Sequence, residues 1–179
     1  MVTTHSVEQN TDAWLEARLG KFTGSNALKL LKYGRCDKAK AQKSTFKGNY
    51  WTKRAHELEP FAITAYEMTK EVKVERPGFW TNDKYPNCLY SPDGVEWDAS
   101  RLNEVKCFAE ERHLSINRRN IPAEILAQTH FGKIMGELDE MVLILFNPDL
   151  HPKKALKIIN IPTDKRLELR LKRMMSNEK

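Results

Sequence analysis

Cysteine is scarce and poorly placed for cross-linking: Cys36, Cys88 and Cys107 are odd in number and far apart. That argues against a disulfide framework and against a Cys-x-x-Cys zinc site, and it points to a reducing, cytoplasmic setting. Long apolar runs are also missing. The stretch Met141 to Phe146 stops at Asn147-Pro148 and falls far short of the ~20 residues that a membrane-spanning helix needs, so a buried strand explains it better. No signal peptide, internal repeat or low-complexity tract is visible.

Acidic residues are nearly absent from one segment. Lys29, Lys32, Arg35, Lys38, Lys40, Lys43, Lys47, Lys53 and Arg54 face only Asp37 among acids. The whole chain carries 30 Lys and Arg against 24 Asp and Glu, a formal net charge of +6 and a pI near 9.2. Such a surface favours an anionic partner, and a phosphate backbone attracts it. Tyr33, Phe46, Tyr50 and Trp51 interleave with these cations and can stack on unpaired bases. Aromatics that bracket a helix more often pack inward. Trp51 is expected in the core, and Phe46 is left open. At 179 residues the chain suits one domain, 1–179, with a proper core.

Periodicity gives the elements. Helices are expected near 11–19 and 24–33, followed by a basic loop to about 47 and a long helix over 48–69 disturbed at Pro60. Strands are expected at Glu71–Glu75, Phe79–Thr81 and Cys88–Tyr90, then a hairpin around Val95 and Glu104. A helix follows at Pro122–Met135, then strands at Glu137–Phe146 and 155–161. A last helix is capped by Thr163 or Asp164 and carries the apolar stripe Leu167, Leu171 and Met174. The pattern is mixed α/β with a small central sheet flanked by helices.

Within that hairpin lie Ser91-Pro92-Asp93-Gly94 and, starting eleven positions after Asp93, Glu104-Val105-Lys106. Residues 102–108 alternate, so Glu104 and Lys106 share one strand face, about 7 Å apart, and Val105 and Cys107 share the other. With Asp98 to Arg101 as the turn, Trp97 pairs with Leu102, Val95 with Glu104 and Asp93 with Lys106, which brings Asp93 to the same face. Phosphodiester hydrolysis needs a hard cation to activate water, and Mg²⁺ prefers a few carboxylates plus water. Asp93 and Glu104 supply the carboxylates. Lys106 can orient the attacking water and offset developing charge. The bland alternative is an ordinary Pro-Asp-Gly turn beside a solvated Glu-x-Lys face.

Gln9-Asn10-Thr11-Asp12-Ala13-Trp14, then Arg18-Leu19-Gly20, then Thr23-Gly24-Ser25 resembles the opening of the YqaJ-like viral recombinase family, which includes lambda-type phage exonucleases. Trp51-Thr52-Lys53 through Glu59, Ala62, Tyr66 and Glu67 resembles the family's acidic helix, and Ser91 to Gly94 with Glu104 to Cys107 resembles its PD-(D/E)XK signature. The resemblance implies a restriction-endonuclease-like core and a Mg²⁺-dependent exonuclease, with Mn²⁺ as a substitute. It would enter duplex DNA at a 5′ end and leave a 3′ single strand for recombination. By the same resemblance, Asp93, Glu104, the Val105 carbonyl and Glu59 hold the metal, and Lys106 is the catalytic lysine. Glu57 competes with Glu59 for that role. Arg18, Ser25 and Ser91 fall where such enzymes hold the terminal 5′-phosphate, an arrangement that suits an arginine fork with two hydroxyls. Ser25 or Thr23 can equally cap the following helix. Arg112 lines up with a family arginine beside Arg118 and Arg119, a run that is more often a solvated face. Implied partners are duplex DNA ends, a single-strand annealing protein and further copies in a trimer. The implied location is the host cytoplasm, with no membrane.

Two departures stand out. Pro60 follows the proposed ligand Glu59, so the helix either bends there or starts anew. At Gln128-Thr129-His130 the family carries two glutamines spaced by one residue, and here the second is His130. Gln128 and His130 are candidates to orient a water or phosphate around the metal, against the alternative of a satisfied helix-face histidine. Two other readings keep the fold: an endonuclease or nickase, because the chain looks short for the family's ring-shaped trimers, and a non-catalytic DNA-binding relative.

Overall fold

The computed structural model describes residues 1–43 and 49–176. Phe46 and Lys47 lie outside the described residues. The chain runs β1 (Val2–His5), α1 (Asp12–Arg18), β2 (Phe22–Thr23), α2 (Ala27–Tyr33), α3 (Tyr50–Lys70), β3 (Phe79–Asn82) and β4 (Cys88–Leu89). It continues through β5 (Gly94–Glu96), β6 (Arg101–Lys106), α4 (Glu110–Ser115), α5 (Ala123–Gly136), β7 (Glu140–Phe146), α6 (Pro152–Ala155), β8 (Leu156–Asn160) and α7 (Lys165–Met175). The central sheet has the order β5-β6-β7-β8, in which β6 and β7 are parallel and both outer pairs are antiparallel. The parallel step is spanned by α4 and α5, as parallel neighbours require a long crossover. Two small pairs, β1 with β3 and β2 with β4, flank it.

Both faces of the sheet are covered, which is why Met141 to Leu145 in β7 is apolar without alternation. On one face Ala62, Ile63 and Tyr66 of α3 pack on Val105, Cys107, Val142 and Ile144. On the other, Phe131 and Ile134 of α5 and Leu171 and Met175 of α7 pack with Leu102, Leu143 and Leu145. Glu104 shares the face of Leu102 and therefore sits in the interior.

Several expectations are corrected. The hairpin register is shifted by two: Val95 pairs with Leu102, Gly94 with Asn103 and Glu96 with Arg101, not Val95 with Glu104 or Trp97 with Leu102. The turn is Trp97 to Ser100, because Ser100 takes the left-handed conformation (φ 47°) and donates its N–H to the Trp97 carbonyl at 3.1 Å. Arg101 is thereby drawn into the strand beside Glu96, its ion-pair partner at 3.0 Å. An even shift preserves the faces, so the predicted grouping survives the wrong pairing.

Glu71–Glu75 is not a strand. Glu71 ends α3 in the left-handed region (φ 56°), the Glu67 carboxylate accepts the Val74 N–H at 2.8 Å, and Glu75 alone bridges to Val95. The helix α3 passes through Pro60 without a break, neither ending nor restarting there. Pro60 is solvent-exposed, and its own carbonyl accepts the Thr64 hydroxyl at 3.1 Å. Strand β1 and helix α4 were not expected. Trp51 is 53% exposed rather than buried, and it meets the exposed Tyr50 edge-on at 5.2 Å between ring centroids.

Candidate active site

The end of β6, the start of β5 and the middle of α3 surround a cleft of about 570 Å³, lined by Glu59, Asp93, Val105, Lys106 and Arg112 among others. Gly94 is needed for this approach: a Cβ there would lie 2.4 Å from Val74 Cγ1. Asp93 is anchored from the facing strand by the Val105 N–H, donated to its Oδ2 at 2.8 Å. Glu104 is fully buried, so the alternative of a solvated Glu-x-Lys face does not hold. Its Oε1 accepts the Lys106 ammonium and its Oε2 accepts the Tyr90 hydroxyl at 2.9 Å.

The electrostatics follow from this placement. Loss of solvent pushes the Asp93 carboxyl up to about 6 and Glu104 up to about 7, against the opposing pull of Lys106. Burial alone would lower the Lys106 ammonium, but Glu104 and Asp93 outweigh it and push it up to about 12. Lys106 is therefore a fixed cation at neutral pH. Burial also raises Glu59, which Arg76 and then Lys106 offset. Glu59 lines the cleft, whereas Glu57 is exposed. The Glu59 carboxylate is paired with the Arg76 guanidinium.

Among the described residues, no three His, Cys, Asp or Glu side chains converge closely enough to hold a metal ion. The donor set nevertheless suits a hard cation. Two carboxylates held above their ordinary range mark negative charge that the protein leaves incompletely compensated, and Asp93, Glu104 and the Val105 carbonyl are all oxygen donors. Glu59, which lines the cleft with Asp93, points its charge at Arg76 instead.

The second predicted group also comes together. The Ser91 hydroxyl accepts the Trp14 indole N–H at 2.8 Å and Arg18 Nη1 at 3.3 Å, while Arg18 Nη2 reaches Ser25 Oγ at 3.1 Å. The guanidinium lies over the Trp14 ring at 4.2 Å from its centroid. Ser25 and Thr23 hydrogen-bond each other at 3.2 Å, and neither hydroxyl caps the helical turn that follows. Burial lowers Arg18, and no carboxylate among the described residues forms an ion pair with it. Gln128 lies beside this turn, its Cγ 3.5 Å from where a Gly24 Cβ would be. Arg112 lines the cleft, stacks over Phe108 at 4.1 Å and pairs with Glu124 at 2.7 Å. His130 is turned to other partners: Nδ1 bonds the Leu126 carbonyl at 2.7 Å, and Nε2 accepts the Asp164 N–H at 2.9 Å.

Three residues carry contacts to which sequence reasoning assigned no role. Tyr90 holds Glu104, Trp14 supports Arg18, and Arg76 holds Glu59. Tyr90 directly precedes the Ser91-Pro92-Asp93 motif and Trp14 stands within the opening block, so position was a usable signal for both. Nothing in the sequence marks Arg76.

The fold is that of the alkaline exonuclease LHK-Exo from Laribacter hongkongensis, with a TM-score of 0.77 at 20% identity, covering 92% of this chain and 90% of that one. Its complex with dAMP gives 0.78 at 22% identity, over 93% and 89%. A phage-related exonuclease from Haemophilus somnus 129PT gives 0.56 at 16%, over 94% and 85%. No curated protein matches the chain. These likenesses define an α/β fold of the restriction-endonuclease-like PD-(D/E)XK class. Within it, the chain belongs to the YqaJ-like viral recombinase family, whose domain profile matches residues 13–135.

Proposed function

We propose that this protein is a divalent-metal-dependent deoxyribonuclease that digests linear duplex DNA from 5′-phosphorylated ends, leaving 3′ single strands for recombination. The observation that carries the reading is the placement of two groups on one short segment. Ser91 belongs to the Arg18 and Ser25 cluster, and Asp93, two residues on, faces Lys106 across the cleft. A terminal phosphate held by the first group brings the neighbouring phosphodiester to the second. The family and the names of the structural relatives support a nuclease acting on DNA, and the nucleotide in one of those structures is a mononucleotide of the kind such digestion releases.

In this reading Asp93, Glu104 and the Val105 carbonyl hold Mg²⁺, or Mn²⁺ in its place. A cation held there would supply a water of lowered pKa and a positive charge beside the leaving oxygen. Lys106, protonated throughout the working range, orients the attacking water and offsets charge on the transferring phosphate. Arg18 grips the end with a planar fork, and stacking on Trp14 fixes the orientation of that fork. Arg112 and the exposed Trp51, which stacks edge-on with Tyr50, border the approach to the cleft for the strand. An annealing protein that receives the 3′ strand, and a ring of identical subunits around the duplex, belong to the same reading, in the host cytoplasm.

The test compares linear duplex carrying a 5′-phosphate, linear duplex carrying a 5′-hydroxyl, and covalently closed circles, each with Mg²⁺ and with chelator. Degradation confined to linear DNA, faster from phosphorylated ends and abolished by chelator or by Lys106→Ala, is expected. Cutting of closed circles at a similar rate would replace the exonuclease with an endonuclease or nickase. Undiminished activity in both Lys106→Ala and Asp93→Asn would remove the site assignment.

A further inference from the structure

Glu59 lines the proposed cation site, yet its charge is spent on Arg76. That pair stands on a boundary. The cleft of about 570 Å³ that holds Asp93 and Lys106 adjoins a second groove of about 430 Å³, and the two share His56 and Glu59. Arg76 lines only the second groove and, among the described residues, is the one permanent cation in its wall. Its side chain is 43% exposed there, whereas Glu59 is only 17% exposed. The groove is firmly built. A Cβ at Gly78 would lie 2.1 Å from the Val7 carbonyl oxygen, so two backbones pack directly in its wall. Gln9 donates to the Pro77 carbonyl at 3.3 Å and to the Pro92 carbonyl at 2.9 Å, tying that wall to the residue before Asp93.

An arginine engages a carboxylate and a phosphate with the same fork and comparable strength, so exchanging one for the other is nearly balanced. A carboxylate released beside a cation gains a new partner, which tips that balance. Resting on the deoxyribonuclease reading above, we propose that Arg76 is a positioning residue: it holds Glu59 off the cation site in DNA-free protein and releases it when a backbone phosphate in the adjoining groove takes the guanidinium. Cation affinity and DNA binding are then coupled through one ion pair, which protects the site from filling before substrate arrives.

Calorimetric titration with Mn²⁺ on the full chain tests this without reference to turnover. Arg76→Gln is expected to raise Mn²⁺ affinity about tenfold in the otherwise unchanged protein and to leave it unaltered in an Glu59→Gln background. A short 5′-phosphorylated duplex with phosphorothioate linkages should raise Mn²⁺ affinity by a similar factor in the unchanged protein and add nothing in Arg76→Gln. An equal rise from Arg76→Gln in both backgrounds would mean a general charge effect and would overturn the proposal, as would a duplex effect that survives Arg76→Gln. If the unchanged protein binds no Mn²⁺, or binds it equally well as Asp93→Asn, the parent reading fails and this one with it. Thermal melts of each variant verify that the fold is kept.

Discussion

The Tyr90 hydroxyl donates to Glu104 Oε2 at 2.9 Å, and its ring is wedged between two glycines to do so. A Cβ on Gly24 would fall 2.4 Å from the ring, and one on Gly132 would fall 2.3 Å from it on α5. The carboxylate of β6 is thus oriented by a side chain whose own position depends on backbone approaching it directly.

Tyr90→Phe keeps the ring and deletes only the hydroxyl, leaving a buried carboxylate oxygen without its donor. A loss of about 1–3 kcal/mol in stability is expected. Nuclease turnover should fall on the order of tenfold, because Glu104 is no longer fixed. Gly132→Ala pits two effects against each other. Alanine in mid-helix gains ~1 kcal/mol over glycine. Overpacking against an immobile ring costs about 1–3 kcal/mol. Overpacking should win, with a melting temperature lower by a few degrees. A Gly132→Ala variant that melts higher than the parent would show that Tyr90 is free to move.

Asp93 and Glu104 make metal-free stability depend on pH in a stated direction. Their folded-state values of about 6 and about 7 lie above the ordinary 3.8 and 4.5. The folded state therefore binds protons more tightly than the unfolded one, and this contribution is fully present below about 4 and lost as pH rises through 6 to 7. Chelated protein should accordingly melt lower at pH 8 than it would without these groups, and Asp93→Asn should melt higher than the parent at pH 8 while matching it near pH 4. Mg²⁺ should raise the parent's melting temperature more at pH 8 than at pH 5.5, since the cation competes with protons. Loss of that cation-dependent shift in Asp93→Asn completes the test; an unchanged shift would place the cation elsewhere.

Much of this site was legible because its groups are close in sequence. Asp93, Glu104 and Lys106 sit on one hairpin, and a period of two keeps their grouping under any even error of register, as the two-residue shift shows, whereas a one-residue slip would have separated them. The α/β class was readable from the apolar run of β7 and the spacing of α5. Arg76 was invisible because its meaning arises only where a loop meets α3, 17 positions away in sequence. Trp51 misled because an aromatic at a helix start reads as core, whereas the core under α3 is supplied about three turns downstream by Ala62, Ile63 and Tyr66. Glu71–Glu75 alternates like a strand, but Glu71 caps the helix and Glu67 captures Val74 before a ladder can form.

His130 titrates with the opposite sign to the two carboxylates. Its Nδ1–H serves Leu126 and its Nε2 accepts from Asp164, an arrangement that only the neutral ring can make. Burial holds it below the ordinary 6.5. Its contribution is present above pH 6.5 and lost as pH falls below that value, because the unfolded state takes up the proton first. Relative to the parent, His130→Gln should thus become less destabilised between pH 7.5 and pH 5.5, as read from paired melts in which the carboxylate contributions cancel. A gap that stays constant over that range would show that His130 does not titrate on unfolding.

Arg18 separates recognition of an end from the cutting of a bond. Its guanidinium already touches Ser91 and Ser25 and rests on Trp14, so the fork is oriented before any phosphate arrives. A charge-assisted contact of this kind contributes about 1.5–3 kcal/mol. Arg18→Ala should therefore reduce the preference for 5′-phosphorylated over 5′-hydroxyl ends by roughly 10- to 100-fold, since each 1.4 kcal/mol is tenfold. The residual rate on hydroxyl ends should hardly change, because that substrate never used the contact. Arg18→Lys keeps the charge but loses the planar fork and its stacking on Trp14, and should recover only part of the preference. Lys106→Ala should behave in the reverse way, losing turnover on both substrates while binding measurements still distinguish the two ends. If Arg18→Ala slows both substrates equally, the arginine supports the fold or the general DNA surface, and the end-reading role passes to another group.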